Sequence, residues 1–529
     1  MASDDYTDKA AHEDMKVLHG MGYAQELSRS MSKFSNFAIS FSIICILSGG
    51  INSFAQAIAS VGGAGAGIGW IVGCLLSGMF ALAMAQIASA FPTAGGLYHW
   101  ASILGGRFWG WLTAWLNLLG LITVLGAINI GTAYFFQGTF GAMFGTTGAD
   151  GAITPWPSAD MEIVTFVAII TIFQAVLNHV GIKVTTFLTD ISGYIIFAAT
   201  AVLVVACLIY APAIDISRLW TFTNYSGDAG NGTFPQSDNM GYLFLLCLLL
   251  PVYTITGYDA SAHTSEETKN AATSVPKGIV NAVFWSSLVG WIMVCAITLA
   301  IPDMDVAAKQ GFGMFFGTMD AIMPDGLKLV IYIGILIAQF LCGLATVTSA
   351  SRMLFAFARD NGMPVGSKAL ATVSPKFRTP VHAIWTAAVL CILYVVLAMS
   401  IKIAGTSIYV IVVNSTLVFL FLSFTIPLVA GLFAYGTAKW PAPGPWAMSA
   451  GVYKLVTVLS VVGMGVILFI AVAPPNERVL YVVVGFVALA LVLWVAVENR
   501  RFEGPPTGDR IAARKAVIAA AEAAVGQKG

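Results

Sequence analysis

Runs of about 20 apolar residues, each long enough as a helix to cross roughly 30 Å of hydrocarbon, recur along the whole chain. Nothing constrains its fold more. In lipid every backbone amide and carbonyl must be bonded within the protein, so a spanning segment is either a helix or one strand of a closed barrel. A barrel would show segments of about ten residues alternating between apolar and polar positions, and these runs are continuously apolar. Twelve spans are predicted, over residues 36–60, 68–91, 108–137, 161–179, 186–210, 241–263, 279–301, 328–357, 380–401, 405–433, 452–473 and 479–498. The fold class is an all-α membrane protein. Composition agrees, with 58% hydrophobic and 10% charged residues where soluble domains carry about 25% charged.

Net charge is zero, so the balance suggests no nucleic-acid partner and no acidic substrate. The placement of the charges says more. With both tails on the cytoplasmic side, eleven lysines and arginines fall in the five inward loops. Only Arg218, Lys309, Lys328, Lys402 and Arg478 fall in the six outward ones. This asymmetry predicts cytoplasmic termini, in a multi-pass protein of the plasma membrane. The seven cysteines lie inside apolar spans with no CxxC pair, which predicts neither a disulfide nor a zinc framework. The polar, mixed-charge first 35 residues do not read as a cleavable signal peptide.

One membrane domain is expected, with tails at 1–35 and 499–529, a ten-helix core at 36–433 and two further helices at 452–498. The last tail ends in ARKAVIAAAEAAVG and reads as a solvated or membrane-skimming helix. VGGAGAGIGW, Val61 to Trp70, has the glycines of a phosphate loop without its spacing or a preceding strand, and reads as a flexible outward turn.

Two spans are interrupted. In the first, Ser48-Gly49-Gly50 falls near the middle; in the sixth, Pro251 is followed by Thr256-Gly257. Glycine pairs and proline weaken a helix interior. Unwound backbone at membrane depth is tolerated only where it is buried in protein or lines a cavity, and such breaks offer free amides to a carboxylate and free carbonyls to a cation or amine. The plainer alternative is that the glycines allow close helix packing. Because spans one and six open two five-helix halves, the binding-site reading is preferred.

Four stretches carry a family resemblance: LHGMGYAQELSRSMSKFSNFAISFS from Leu18, AQIASAFPTAGGLYHWAS from Ala85, TGYDASAHTSEETKNAATSVPKGI from Thr256 and SASRMLFAFARDNGMP from Ser349. Together they resemble the amino acid-polyamine-organocation permease superfamily, and within it the amino acid/choline transporter branch that includes γ-aminobutyrate permeases. The resemblance implies a five-plus-five inverted repeat with helices one and six unwound around a central substrate. It also implies that a substrate carboxylate meets the backbone at Ser48, Gly49, Gly50 and Ile51, and that the amine faces Tyr253, Thr256, Gly257 and Tyr258. From the third helix it implies Asn117, Gly120, Leu121 and Val124. Sodium-driven relatives would use hydroxyls at Thr346, Thr348 and Ser349. Some proton-driven relatives place a lysine on the fifth helix, where this chain has Ile196 or a neighbour. Family gates pair cations with acids at the inner end, which suggests Glu266, Arg352, Arg359 and Asp360, with Arg29 and Lys33 nearby; the positive-inside rule alone would also explain these cations.

Asp259 is an ionisable group at membrane depth, a functional candidate by default. A substrate amine, a coupling proton and the break itself are all open to it, as is a cap on the following half-helix. His263 reads as a satisfied structural histidine in preference to a proton relay. Glu266 and Glu267 read as solvated charges at the cytoplasmic surface, and Asp190 as a proton carrier or a helix-terminal charge.

The expected activity is secondary active transport of an amino acid or related amine such as γ-aminobutyrate, driven by a proton or sodium gradient or by exchange. The alternatives are a choline or polyamine transporter and a non-transporting amino acid sensor. No HExxH motif or nucleophile–base pair suggests an enzyme, and no cofactor or metal site is expected.

Overall fold

The computed structural model describes residues 12–148, 151–400, 408–474 and 476–526; Lys402 lies outside them. Among the described residues, eleven helices are long and apolar enough to cross a membrane, with mean hydropathy between 1.8 and 2.8. Ten of the predicted spans are single helices: Trp70–Ala90, Arg107–Phe140, Asp160–Val180, Ile182–Tyr210, Ala271–Ala300, Asp325–Arg359, Val381–Ser400, Ile408–Ala434, Ala450–Val472 and Glu477–Leu493. The first and sixth spans are broken. The first runs Lys33–Ile44, Ile46–Asn52 and Phe54–Val61, and the sixth runs Met240–Cys247, Leu249–Thr254 and Ala260–His263. Outside the bundle the described strands form one small hairpin, Thr146–Thr147 with Ile153–Thr154.

The packing has an internal symmetry. The second span packs on the seventh, the third on the eighth and the fourth on the ninth, each a contact that maps onto itself when span n is exchanged for span n+5. Further contacts come in matched pairs: first on seventh with sixth on second, first on fifth with sixth on tenth, third on tenth with eighth on fifth. A five-plus-five repeat produces this pattern. Spans one and three form its centre, with 89% of their apolar windows buried, whereas only 22% of the last span's window is.

The glycine-rich stretch before the second span is not a flexible turn. It continues as a helical segment, Gly65–Gly69, and its backbone is buried against the outer loop. A Cβ on Gly67 would lie 2.0 Å from the carbonyl oxygen of Leu219, and one on Gly63 would lie 2.2 Å from that of Arg218. The missing side chains are what allow backbone to meet backbone, so the composition that suggested mobility instead supports a close-packed corner. Gly67→Ala is expected to lower the unfolding temperature of the purified protein by several degrees, because overpacking typically costs about 1–3 kcal/mol. Gly78→Ala, with nothing within 4 Å of the added carbon, should leave it unchanged in the same detergent melt.

Candidate functional site

The two breaks meet at the centre of the bundle. Ser32 caps the first helix by accepting from the Ser35 amide, and that helix ends at Cys45, whose φ of 25° no regular helix permits. The interruption therefore falls three residues before Ser48-Gly49-Gly50, which lie inside the short helix Ile46–Asn52. The amides of Ser48 and Gly49 already donate to the Cys45 carbonyl, at 2.8 and 3.1 Å. In the sixth span Pro251 sits near the start of Leu249–Thr254, where a missing amide hydrogen costs least, and the true break is Ile255–Asp259. Gly257 adopts φ +93° there, and an added Cβ would lie 2.2 Å from Cγ2 of Ile43.

Polar side chains lace the two halves together. Asn36 donates through Nδ2 to the Ser261 carbonyl at 2.9 Å and to the Thr264 and Thr268 hydroxyls at 3.2 and 3.0 Å. Ser40 donates to the Tyr258 carbonyl at 2.9 Å and accepts from the Ser261 amide at 2.9 Å. Sequence reasoning missed Asn36, Ser40 and Ser261. The legible signal was four-residue spacing, which puts Asn36 and Ser40 on one face of an apolar helix. Of the carbonyls proposed for a substrate amine, that of Tyr258 is thus occupied, that of Tyr253 accepts from the Thr256 hydroxyl at 2.7 Å, and that of Gly257 accepts from the Ala260 amide at 3.2 Å.

Asp259 is fully buried, and its side chain does not cap the following helix. Its Oδ2 instead accepts from Nδ2 of Asn117 at 3.1 Å and lies 3.3 Å from Nε2 of His263. Asn117 also reaches Ser423 on the tenth span at 3.3 Å. The other oxygens of this group, Asp259 Oδ1, Asn117 Oδ1 and the Tyr258 hydroxyl, are buried without a hydrogen-bond partner. Leaving such atoms unpaired costs about 1–3 kcal/mol each, so the cluster has capacity for further hydrogen-bond donors.

The third span contributes Asn117 to this group; Leu121 and Val124 are buried farther along it. Gly120 faces elsewhere, since its Cβ would meet Leu420 of the tenth span at 2.5 Å. The three hydroxyls of the eighth span do not converge. Thr346 donates to the Cys342 carbonyl at 2.9 Å, Thr348 donates to Asn178 on the fourth span at 2.7 Å, and Ser349 has no partner. The side chains that reach the first span from the eighth are Cys342, donating to the Ile43 carbonyl at 3.2 Å, and Gln339, donating to that of Leu47 at 3.4 Å. Ile196 is buried on the fifth span. Asp190 lies eight residues inside the fifth helix, away from its end, and accepts from the Ser35 hydroxyl at 3.0 Å.

A cavity of about 330 Å³ opens at the end of the bundle remote from the tails, between Ile51 and Asn52 of the first span, Tyr134 and Phe135 of the third, and Phe315 and Phe316 of the short helix Met314–Ile322. At the tail-bearing end buried ion pairs join the eighth span to the turn after the sixth. Glu266 and Glu267 are not solvated; both are fully buried. Arg359 binds both oxygens of Glu266 at 2.9 and 2.8 Å, and Arg352 binds both oxygens of Glu267 at 3.0 and 2.9 Å. Asp360 accepts from the Tyr23 and Tyr98 hydroxyls at 2.6 and 3.0 Å; burial raises its pKa against the pull of Arg359. Arg29 donates to the Ser265 and Thr268 carbonyls at 3.1 and 2.7 Å, whereas Lys33 is exposed. The last tail does not float free: its helix Lys515–Ala524, exposed along most of its length, docks through Glu522 on His19 at 2.7 Å and on the Gln25 amide at 2.8 Å.

A multi-span helical bundle with paired broken helices, a polar cluster at the breaks and an ion-paired end is the architecture of a membrane transporter. The sequence matches the amino acid permease family over residues 31–497. It is 31% identical over 509 residues to amino-acid permease BAT1 of Arabidopsis thaliana, covering 92% of this chain and 95% of that one. It is 30% identical to the BAT1 homolog of rice, Oryza sativa, with 93% and 95% covered. A GABA-specific permease of Saccharomyces cerevisiae is 30% identical over 400 residues, with 71% of this chain and 65% of the yeast protein covered. The chain therefore belongs to the amino acid permease family of the amino acid-polyamine-organocation superfamily. It is an integral multi-pass membrane transporter of amino acids and not an enzyme.

Removing one partner of a buried pair strands the other, at a cost of about 3–5 kcal/mol. Glu267→Gln and Arg352→Gln should each lower the melting temperature of the purified protein markedly. The double variant should recover much of the loss; additive losses would show that the two side chains do not act as a pair.

Proposed function

We propose that this protein carries an amino acid or a closely related primary amine, of the γ-aminobutyrate type, across the plasma membrane by alternating access around the broken first and sixth spans. The observation that carries the reading is the cluster of buried, unpartnered acceptors at Asp259 Oδ1 and Asn117 Oδ1 beside the sixth-span break. An ammonium group brings three N–H donors and a positive charge to such a place. The substrate carboxylate then lies toward Ser48, Gly49, Gly50 and Ile51, and Ile51 also lines the cavity. Tyr253, Thr256, Gly257 and Tyr258 supply the wall at the break, with Leu121 and Val124 opposite.

Closure is assigned to Glu266, Glu267, Arg352, Arg359 and Asp360, which form the inner gate with both termini in the cytoplasm. A gate shut at the tail end and a cavity at the other correspond to the phase of the cycle that takes up solute from outside. The GABA specificity in the name of the yeast relative supports an amine substrate. Choline is disfavoured on physical grounds, because a quaternary ammonium has no N–H for the unpartnered oxygens.

Counterflow in proteoliposomes, with radiolabelled γ-aminobutyrate, alanine, glutamate, arginine, putrescine and choline tested in turn, decides the class. Saturable exchange of at least one amino acid or γ-aminobutyrate is expected, and choline should not exchange. Binding without exchange would mark a sensor and overturn the proposal. Gly257→Leu should insert normally and lose exchange by at least a hundredfold, because the side chain would enter the space between Ile43 and the break; wild-type exchange in that variant would sink the site assignment.

A further inference from the structure

We propose that Asp259 and His263 together hold the coupling proton, and that Ala94 ties this proton to the inner gate. The inference rests on the transporter reading above and names the ion that drives it.

The argument is a count of hydrogens. His263 is fully buried, with Nδ1 at 3.2 Å from the carbonyl oxygen of Ala94 and Nε2 at 3.3 Å from Asp259 Oδ2. A carbonyl can only accept, so the hydrogen of that first contact belongs to Nδ1. A neutral ring protonated on Nδ1 presents a lone pair at Nε2, and a carboxylate presents another at Oδ2. Two acceptors do not bond. The Asp259–His263 contact therefore requires one further proton, held as imidazolium with carboxylate or as imidazole with carboxylic acid. Both forms are neutral overall.

Loss of that proton leaves one uncompensated negative charge in a fully buried place, which is strongly unfavourable. The elements packed on the Ala260–His263 helix offer no replacement cation among the described residues. Lys33 on the first span and Lys277 on the seventh are exposed. On the eighth span Arg352 and Arg359 are committed to Glu267 and Glu266, which sit on the adjoining turn. In the segment after the second span Tyr98 donates to Asp360, and His99 bonds the Thr93 hydroxyl at 2.9 Å. Before a substrate ammonium arrives, the proton is therefore the one positive charge available to the pair among the described residues.

Ala94 joins this pair to the gate. Its carbonyl accepts from His263, while its amide donates to Glu266 Oε1 at 3.0 Å, the same carboxylate that Arg359 clamps. With the proton on, the chain from Asp259 through His263, Ala94 and Glu266 to Arg359 is continuous. When the proton departs, the ring has one hydrogen left for two acceptors, so the chain is cut either at Asp259 or at the Ala94 carbonyl. A proton taken up from the outer aqueous phase thus holds the inner gate shut while solute binds, and its release to the cytoplasm accompanies solute release. One proton enters per neutral solute, and no other reactant is needed.

The test uses the full chain in proteoliposomes, with γ-aminobutyrate and alanine as probes, the membrane potential clamped at zero and an acid exterior. For one proton per neutral solute, each pH unit supports about tenfold accumulation, which is the expected wild-type result in the absence of sodium. His263→Gln should bring the accumulation ratio to about one, with counterflow still measurable, whereas Asp259→Asn, which also removes the carboxylate that faces the substrate amine, should lose both accumulation and counterflow. Wild-type counterflow with accumulation that ignores the pH gradient, or that follows sodium, would overturn the proton inference and leave the transporter reading standing. Absence of any counterflow by wild type would overturn both. Tenfold accumulation retained in His263→Gln would remove His263 from the proton site. Should a variant fail to insert, proton entry into wild-type liposomes, read by an entrapped pH dye, should be about one per solute. A ratio near zero overturns the proposal.

Discussion

The centre of this protein depends on re-bonding the backbone that two broken helices set free. At membrane depth an unpaired amide or carbonyl costs several kcal/mol, so a break survives only where side chains or other backbone replace the lost bonds. Here the replacements come from the facing element. Ser40 serves the Tyr258 carbonyl, Cys342 serves Ile43 and Gln339 serves Leu47. Because each of these bonds crosses between helices, the breaks hold the bundle together where an isolated break would weaken it.

Charge follows the same logic a level up. The tail-bearing end contains three fully buried charged groups within one short region, Glu266, Glu267 and Arg352. Arginine is suited to such pairs because its planar fork meets a carboxylate at two points. A bidentate pair is strong when made and costly when separated, and a gate needs that combination: two stable states and little population between them.

Much of the fold was legible in the sequence because the bilayer imposes it. Length and continuous hydropathy fix where helices cross, and the five-plus-five order was readable once two interrupted spans opened the two halves. Details at the breaks were not legible. Cys45 adopts a positive φ although the glycines stand four and five residues later, because tertiary packing decides where a weakened helix opens and the glycines are needed for the approach of Thr254, 3.0 Å from a Cβ on Gly49. Glu266 and Glu267 were misjudged for a related reason: two acids at the end of a span look solvated until arginines eighty-five and ninety-three residues away fold onto them. The eighth-span hydroxyls illustrate the limit of carrying a family pattern over. Thr346 and Thr348 are two residues apart on a helix, so they point to different neighbours.

The tails extend the proposed gate beyond the membrane. Tyr23, from the segment before the first span, donates to Asp360, and the Arg359 guanidinium stacks 3.9 Å from the centre of its ring. Arg378 binds the Glu26 carbonyl at 2.7 Å, and the last helix closes over the same segment through Glu522. Residues 23–29 therefore lie between the gate arginine and the C-terminal helix. For the inner end to open, the Glu266–Arg359 pair, the Tyr23–Asp360 bond and the seat of the last helix must rearrange together. The bonds at this end are distributed over both tails, so in the proposed cycle a single proton released near Asp259 would unseat the gate only by removing one link from an already balanced set.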